Sequence, residues 1–150
     1  MKTQSIVLSS ILALVPVTGL HAGSAKSVTI KAFDTMKFDV TKIEAHPGDK
    51  LTITLKNEGT LPKEAMGHNW ILLKAGADPI SYSNTAATAK AENYQPKSQA
   101  KQVFASIHLL GPKESASTTF TAPSALGSYA YLCSFPGHTA AGMKGVLVVK

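Results

Sequence analysis

Ser128-Tyr129-Ala130-Tyr131-Leu132-Cys133 runs into Ser134-Phe135-Pro136-Gly137-His138, then Thr139-Ala140-Ala141-Gly142-Met143, and closes on Val146-Leu147-Val148-Val149. In the first segment Tyr129, Tyr131 and Cys133 fall on one face at the two-residue period of a strand. The closing valine-rich run suits a strand as well, because β-branched side chains fit a pleated surface. Pro136-Gly137 interrupts pairing between them, so the two strands are joined by one loop. That loop carries a thiol, an imidazole and a thioether in one short span.

Upstream, Val28 to Phe33 and Leu51 to Leu55 alternate in the same way, and Ile71-Leu72-Leu73 reads as a short run buried on both faces. Gln102 to Leu109 and Ala116 to Phe120 are further strand candidates. Turn formers punctuate them at His46-Pro47-Gly48-Asp49, Asn57-Glu58-Gly59, Gly111-Pro112 and Pro123. Short strands at this spacing predict an all-β chain folded as a sandwich or barrel. Residues 78–100 break the rhythm, being rich in Ala, Ser, Thr and Asn. Asp78-Pro79 there predicts a capped helix start, and the segment reads as a short helical excursion outside the sandwich.

At 150 residues the chain is expected to form one domain. Residues 1–25 read as a secretory signal peptide: Lys2 supplies a positive start, Ile6 to Val17 an apolar core, and Ala22, Gly23, Ser24 and Ala25 a small-residue cleavage region. Cleavage after Ala22 or after Ala25 fits equally, leaving 26–150 as the folded domain. The apolar run is too short to span a bilayer, and no cysteine follows it, so no membrane anchor is expected. An exported chain ordinarily carries cysteines in pairs, yet Cys133 is the only one. Ligation to a metal removes the oxidation hazard of a lone exported thiol.

The histidine that completes the set is His68, in Gly67-His68-Asn69-Trp70. One thiolate (Cys133), two imidazoles (His68, His138) and one thioether (Met143) make the donor set of a blue-copper site. Thiolate and thioether suit Cu(I) and imidazole suits both oxidation states, whereas structural zinc takes more cysteines and rarely methionine. His21, His46 and His108 lie in the signal segment, a turn and a strand, and are not expected to bind the ion. The formal net charge is +6, entirely from lysine, and about +5 without Lys2. Those lysines are dispersed and arginine is absent, so no nucleic-acid partner is expected.

The chain resembles the azurins, periplasmic blue-copper proteins of the cupredoxin class. Leu61-Pro62-Lys63-Glu64-Ala65-Met66-Gly67-His68-Asn69-Trp70, Cys133-Ser134-Phe135-Pro136-Gly137-His138 and Met143-Lys144-Gly145 carry the resemblance. It implies a Greek-key β-sandwich and a periplasmic electron carrier cycling one copper ion between Cu(II) and Cu(I), not an enzyme. It also implies a weak axial contact from the Gly67 carbonyl, opposite Met143. Asn69 is expected to tie the His68 strand to the cysteine loop through Ser134, with the N–H groups of Asn69 and Phe135 donating to the Cys133 sulfur. Trp70 is expected in the core.

Three departures stand out. Four residues separate His138 from Met143 where azurins commonly have three, a spacing like that of the auracyanins. The family's N-terminal disulfide is missing, its positions corresponding to Lys26 and Gly48, and a family histidine linked to pH-dependent behaviour is replaced near Asn57. The resemblance further implies an apolar patch around His138, with Leu61, Met66, Phe135, Pro136, Ala140 and Met36 as members. Partners are expected to be redox proteins such as c-type cytochromes or copper reductases, met by a monomer. A copper storage module would release its metal readily, and a copper enzyme would need an open coordination position, which four donors do not leave.

Overall fold

The computed structural model describes residues 23–150, so the expected signal segment lies outside the described residues but for its last three. Nine strands form two sheets: β1 (Ala25–Phe33), β2 (Lys37–Phe38), β3 (Lys42–Ala45), β4 (Lys50–Asn57), β5 (His68–Leu73), β6 (Val103–Leu110), β7 (Ser115–Thr121), β8 (Gly127–Leu132) and β9 (Lys144–Val149). One sheet has the order β2-β1-β4-β7, the other β3-β9-β8-β5-β6. Two pairs, β1 with β4 and β3 with β9, are parallel, and the rest are antiparallel. This is the expected Greek-key sandwich. The alternation in β4 places Leu51, Ile53 and Leu55 inward against Ile30 and Ala32 of β1, with Thr52 and Thr54 outward. Trp70 is buried in the core, its ring 5.5 Å from that of Tyr131 and 6.3 Å from Phe120.

The strand read at 71–73 extends back to His68, and every residue of β5 is buried. The excursion explains this. Helix α2 (Pro79–Ala86) lies on the outer face of β5 and β8, where Tyr82 and Ala86 cluster with Ile71, Leu73 and Leu132. Its start is the predicted one: the Asp78 carboxylate accepts from the Ile80 N–H at 2.8 Å, and Pro79 occupies the first position, where no N–H is needed. Two 3₁₀ turns, at Lys90–Glu92 and Lys97–Gln102, complete the excursion. Strands β2 and β3 were not predicted. Each is four residues or shorter and has no alternation long enough to register.

Near the chain start Gly23 lies against Gly48: a Cβ on Gly23 would fall 2.0 Å from the Gly48 carbonyl oxygen. In place of a disulfide, the Asp49 carboxylate gathers the Ser24 N–H and hydroxyl on one oxygen and the His46 N–H on the other. The Ser24 carbonyl in turn accepts the Lys50 N–H at 2.8 Å. At the opposite pole, the Asn57 side chain donates to the Leu110 carbonyl and accepts the Gly59 N–H.

The N–H donors of His46 and Ser24 hold Asp49 below its ordinary pKa of 3.8. A depressed carboxyl stabilises the fold above its unfolded value, and the contribution is lost as pH falls through the folded value. Asp49→Ala should therefore melt at a lower temperature than the unmodified protein near neutral pH, and thermal scans should find the gap closing below about pH 3.8. A gap that stays constant down to pH 2 would remove Asp49 as the staple.

Candidate metal centre

Strands β5 and β8 are neighbours, and their register sets Ile71 opposite Leu132. Cys133 follows the last residue of β8, and His68 opens β5 opposite Leu110 of β6. The two donors thus leave adjacent strands at the same end of the sandwich. Helix α1 (Lys63–Met66) turns the chain into β5 through Gly67, whose Cβ would lie 2.6 Å from the Lys63 carbonyl and 3.0 Å from Leu109. Only glycine fits that passage.

The loop after Cys133 supplies the second imidazole. The His138 N–H donates to the Phe135 carbonyl, and Gly137 at the corner has φ +82°, a left-handed conformation natural to glycine. His138 Nδ1 then lies 3.4 Å from the Cys133 sulfur, and His68 Nδ1 lies 3.9 Å from it. One donor atom from each of His68, Cys133 and His138 falls within 4.8 Å of the others, and all three residues are buried. Met143 is fully buried, and its backbone is fixed at both groups: its N–H donates to His138 and its carbonyl accepts from Cys133. The structure therefore brings the four predicted side-chain donors to one pole, the three strongest within reach of a single ion.

Burial sets the protonation states. Desolvation lowers both imidazoles to about 4, against a nearby Asp34 carboxylate and Phe33 carbonyl at His68, and with help from His68 at His138. Both rings are neutral at pH 7, as a ligand must be. His68 Nε2 is buried without a well-aligned hydrogen bond. Burial pushes the Cys133 thiol up to about 12, opposed by the N–H groups of Asn69 and Phe135, the two predicted donors. A thiolate in so dry a place needs a cation beside it. The mixed soft donor set and the small separations fit copper.

Asn69 ties the two halves together as expected, and twice. Its Nδ2 donates to the Ser134 hydroxyl and its Oδ1 accepts the Ser134 N–H, both at 2.8 Å. Sequence reading missed the next links. The Ser134 hydroxyl donates to the Tyr94 carbonyl at 2.5 Å, the Tyr94 ring packs edge-on at 5.0 Å from Phe135, and the Thr139 hydroxyl donates to the Cys133 carbonyl at 2.8 Å. The aromatic at 94 inside a polar excursion was the only available sign.

The surface above the site needs one correction. Phe135 is buried, 7% exposed, because its ring is held between Tyr94 and His138. Leu61, at 44% exposure, Pro136 and Ala140 are exposed as expected, while Met36 and Met66 are half-buried.

Known proteins agree with this geometry. The family described as copper-binding proteins, plastocyanin/azurin, matches residues 24–150. An azurin of Bordetella pertussis is 42% identical over 124 residues, covering 81% of each chain. An azurin of Pseudomonas fluorescens biotype C is 38% identical over 127 residues, covering 82% of this chain and 97% of its own. Among solved structures, auracyanin A, a blue copper protein of Chloroflexus aurantiacus, superposes with a TM-score of 0.74 at 34% identity, covering 85% of this chain and all of that one. The chain accordingly belongs to the plastocyanin/azurin family of copper-binding proteins, electron carriers built around a type 1 copper site rather than enzymes.

Proposed function

We propose that His68, Cys133, His138 and Met143 hold one copper ion, with the Gly67 carbonyl as a weak further contact, in a periplasmic carrier of single electrons. The observation that carries this reading is the convergence of three buried donor atoms within 4.8 Å. A copper ion bound there supplies a one-electron Cu(II)/Cu(I) couple. The chain's own contribution is rigidity and dryness. Cys133 and His68 are fixed by neighbouring strands, so the donors need little rearrangement when charge changes. The N–H groups of Asn69 and Phe135 draw electron density from the Cys133 sulfur, which favours the reduced form.

His138 is 2% exposed, yet its neighbours Pro136, Gly137 and Ala140 are at the surface. A thin apolar cover of this kind excludes water while keeping the imidazole close to a docked partner. We propose this face, with Leu61 and Met66 at its edge, as the meeting surface for c-type cytochromes or copper reductases, approached by a monomer. Redox encounters are characteristically small and brief. The apolar segment from Ile6 to Val17 supports export, and Gly23 packs against Gly48 while Ser24 is hydrogen-bonded to Asp49, which favours cleavage after Ala22.

Adding Cu(II) to the purified protein should give intense thiolate-to-copper absorption toward the red, bleached by reductant and absent in Cys133→Ser. A colourless product overturns the reading. Asn69→Leu removes two bonds and strands a buried Ser134 N–H, which should cost about 1–3 kcal/mol in denaturant unfolding and shift the reduction potential. Met66→Glu should slow electron exchange with a cytochrome about tenfold or more while preserving the blue band, since a desolvated charge at an encounter face is costly. Unchanged rates would place the docking face elsewhere.

A further inference from the structure

The segment from Gly137 to Met143 satisfies most of its backbone carbonyls locally. The carbonyls of Gly137, His138 and Thr139 accept from Ala141, Met143 and Gly142, the Gly142 carbonyl accepts from Lys144, and that of Met143 from Cys133. The Ala141 carbonyl differs. It accepts the Lys37 ammonium at 2.5 Å, across from the other sheet. Gly142 makes room for this approach: its φ is +94°, and a Cβ there would sit 2.9 Å from the Lys37 nitrogen.

Thr139 is anchored to the Cys133 carbonyl, so the outer arc of the loop is Ala140 to Gly142, where the side chains are exposed or half-exposed. That arc is the outer part of the four-residue span between His138 and Met143. Lys37 catches it at its middle. The same hairpin, β1 turning into β2, presents Phe33 and Asp34 toward His68. One short element therefore reaches both halves of the donor set.

We propose that Lys37 is a positioning residue, its ammonium latching the Ala141 carbonyl and so fixing the span that places His138 and Met143. This rests on those two residues being ligands, and the test separates the two ideas. Lys37→Met keeps the aliphatic stem and removes the donor, whereas Lys37→Arg restores one. In the metal-free protein, amide exchange at Ala141 to Met143 should be about fivefold faster in Lys37→Met, with the β1 and β4 amides unchanged, because one charge-assisted bond is lost locally. In the copper-loaded protein, the relative intensities of the visible bands should change in Lys37→Met and return in Lys37→Arg. Unchanged exchange overturns the latch. Equal acceleration in loop and strands overturns it as well, since that is loss of global stability. Faster loop exchange with an unaltered spectrum overturns the positioning role. An unmodified protein that fails to turn blue overturns the ligand assignment, and the positioning role with it, whatever the exchange shows.

Discussion

The reciprocal pair of hydrogen bonds between Asn69 and Ser134 is the constraint on which the site depends. Without it, His68 and Cys133 are ends of neighbouring strands with no fixed separation, because the β5–β8 register is bonded only at Ile71–Leu132 and Leu72–Tyr131. With it, the residue after each donor is locked to the other, at 2.8 Å in both directions. Each bond is buried, so breaking either leaves an unsatisfied polar group as well as a lost contact. The two strand ends consequently behave as one piece. The Ser134 hydroxyl extends the lock to Tyr94, which brings the excursion into the same unit.

That arrangement answers an energetic difficulty. Burying a thiol and two imidazoles is unfavourable in the charged state of each, as the low histidine and high cysteine pKa values record. In water such groups would turn toward solvent. Here the core on one side, from Trp70 to Tyr131 and Leu147, and the Tyr94–Phe135 pair on the other leave them no room to do so. The scaffold holds the donors in place, so the donor geometry is set by packing and hydrogen bonds within the protein. A carrier benefits from this, because whatever the scaffold fixes does not need to move at electron transfer.

Much of this was legible in the residues. The alternation of 51–55 and 128–133, the punctuation by proline and glycine, and the lone cysteine with its histidines specify sheet, loop and ligand types through local rules. What local rules miss is set by partners distant in sequence. Strand β3 exists because β9 pairs with it, and Lys42–Ala45 alone carries too short a pattern. Phe135, read as a surface residue, is buried because Tyr94 arrives from the excursion, forty-one positions earlier in the chain. The role of Asp49 was hidden for the same reason, since a carboxylate in a His-Pro-Gly-Asp turn looks like ordinary turn chemistry until Ser24 is seen beside it.

The poles of the sandwich divide these tasks. Strands β4 and β8 both run toward the donor pole, ending at Asn57 and Leu132, and begin at the pole where Gly23, Asp49 and Val149 meet. The chain therefore leaves its first described residues at the end away from His138. Stability at the far pole comes from a carboxylate clustering N–H groups, whereas the donor pole relies on buried amide and hydroxyl bonds. A change that loosens the far pole reaches the metal centre only through the whole sheet. A change at Asn69 or Ser134 reaches it directly. The donor pole is for that reason the place where small substitutions tune the electron carrier without unfolding it.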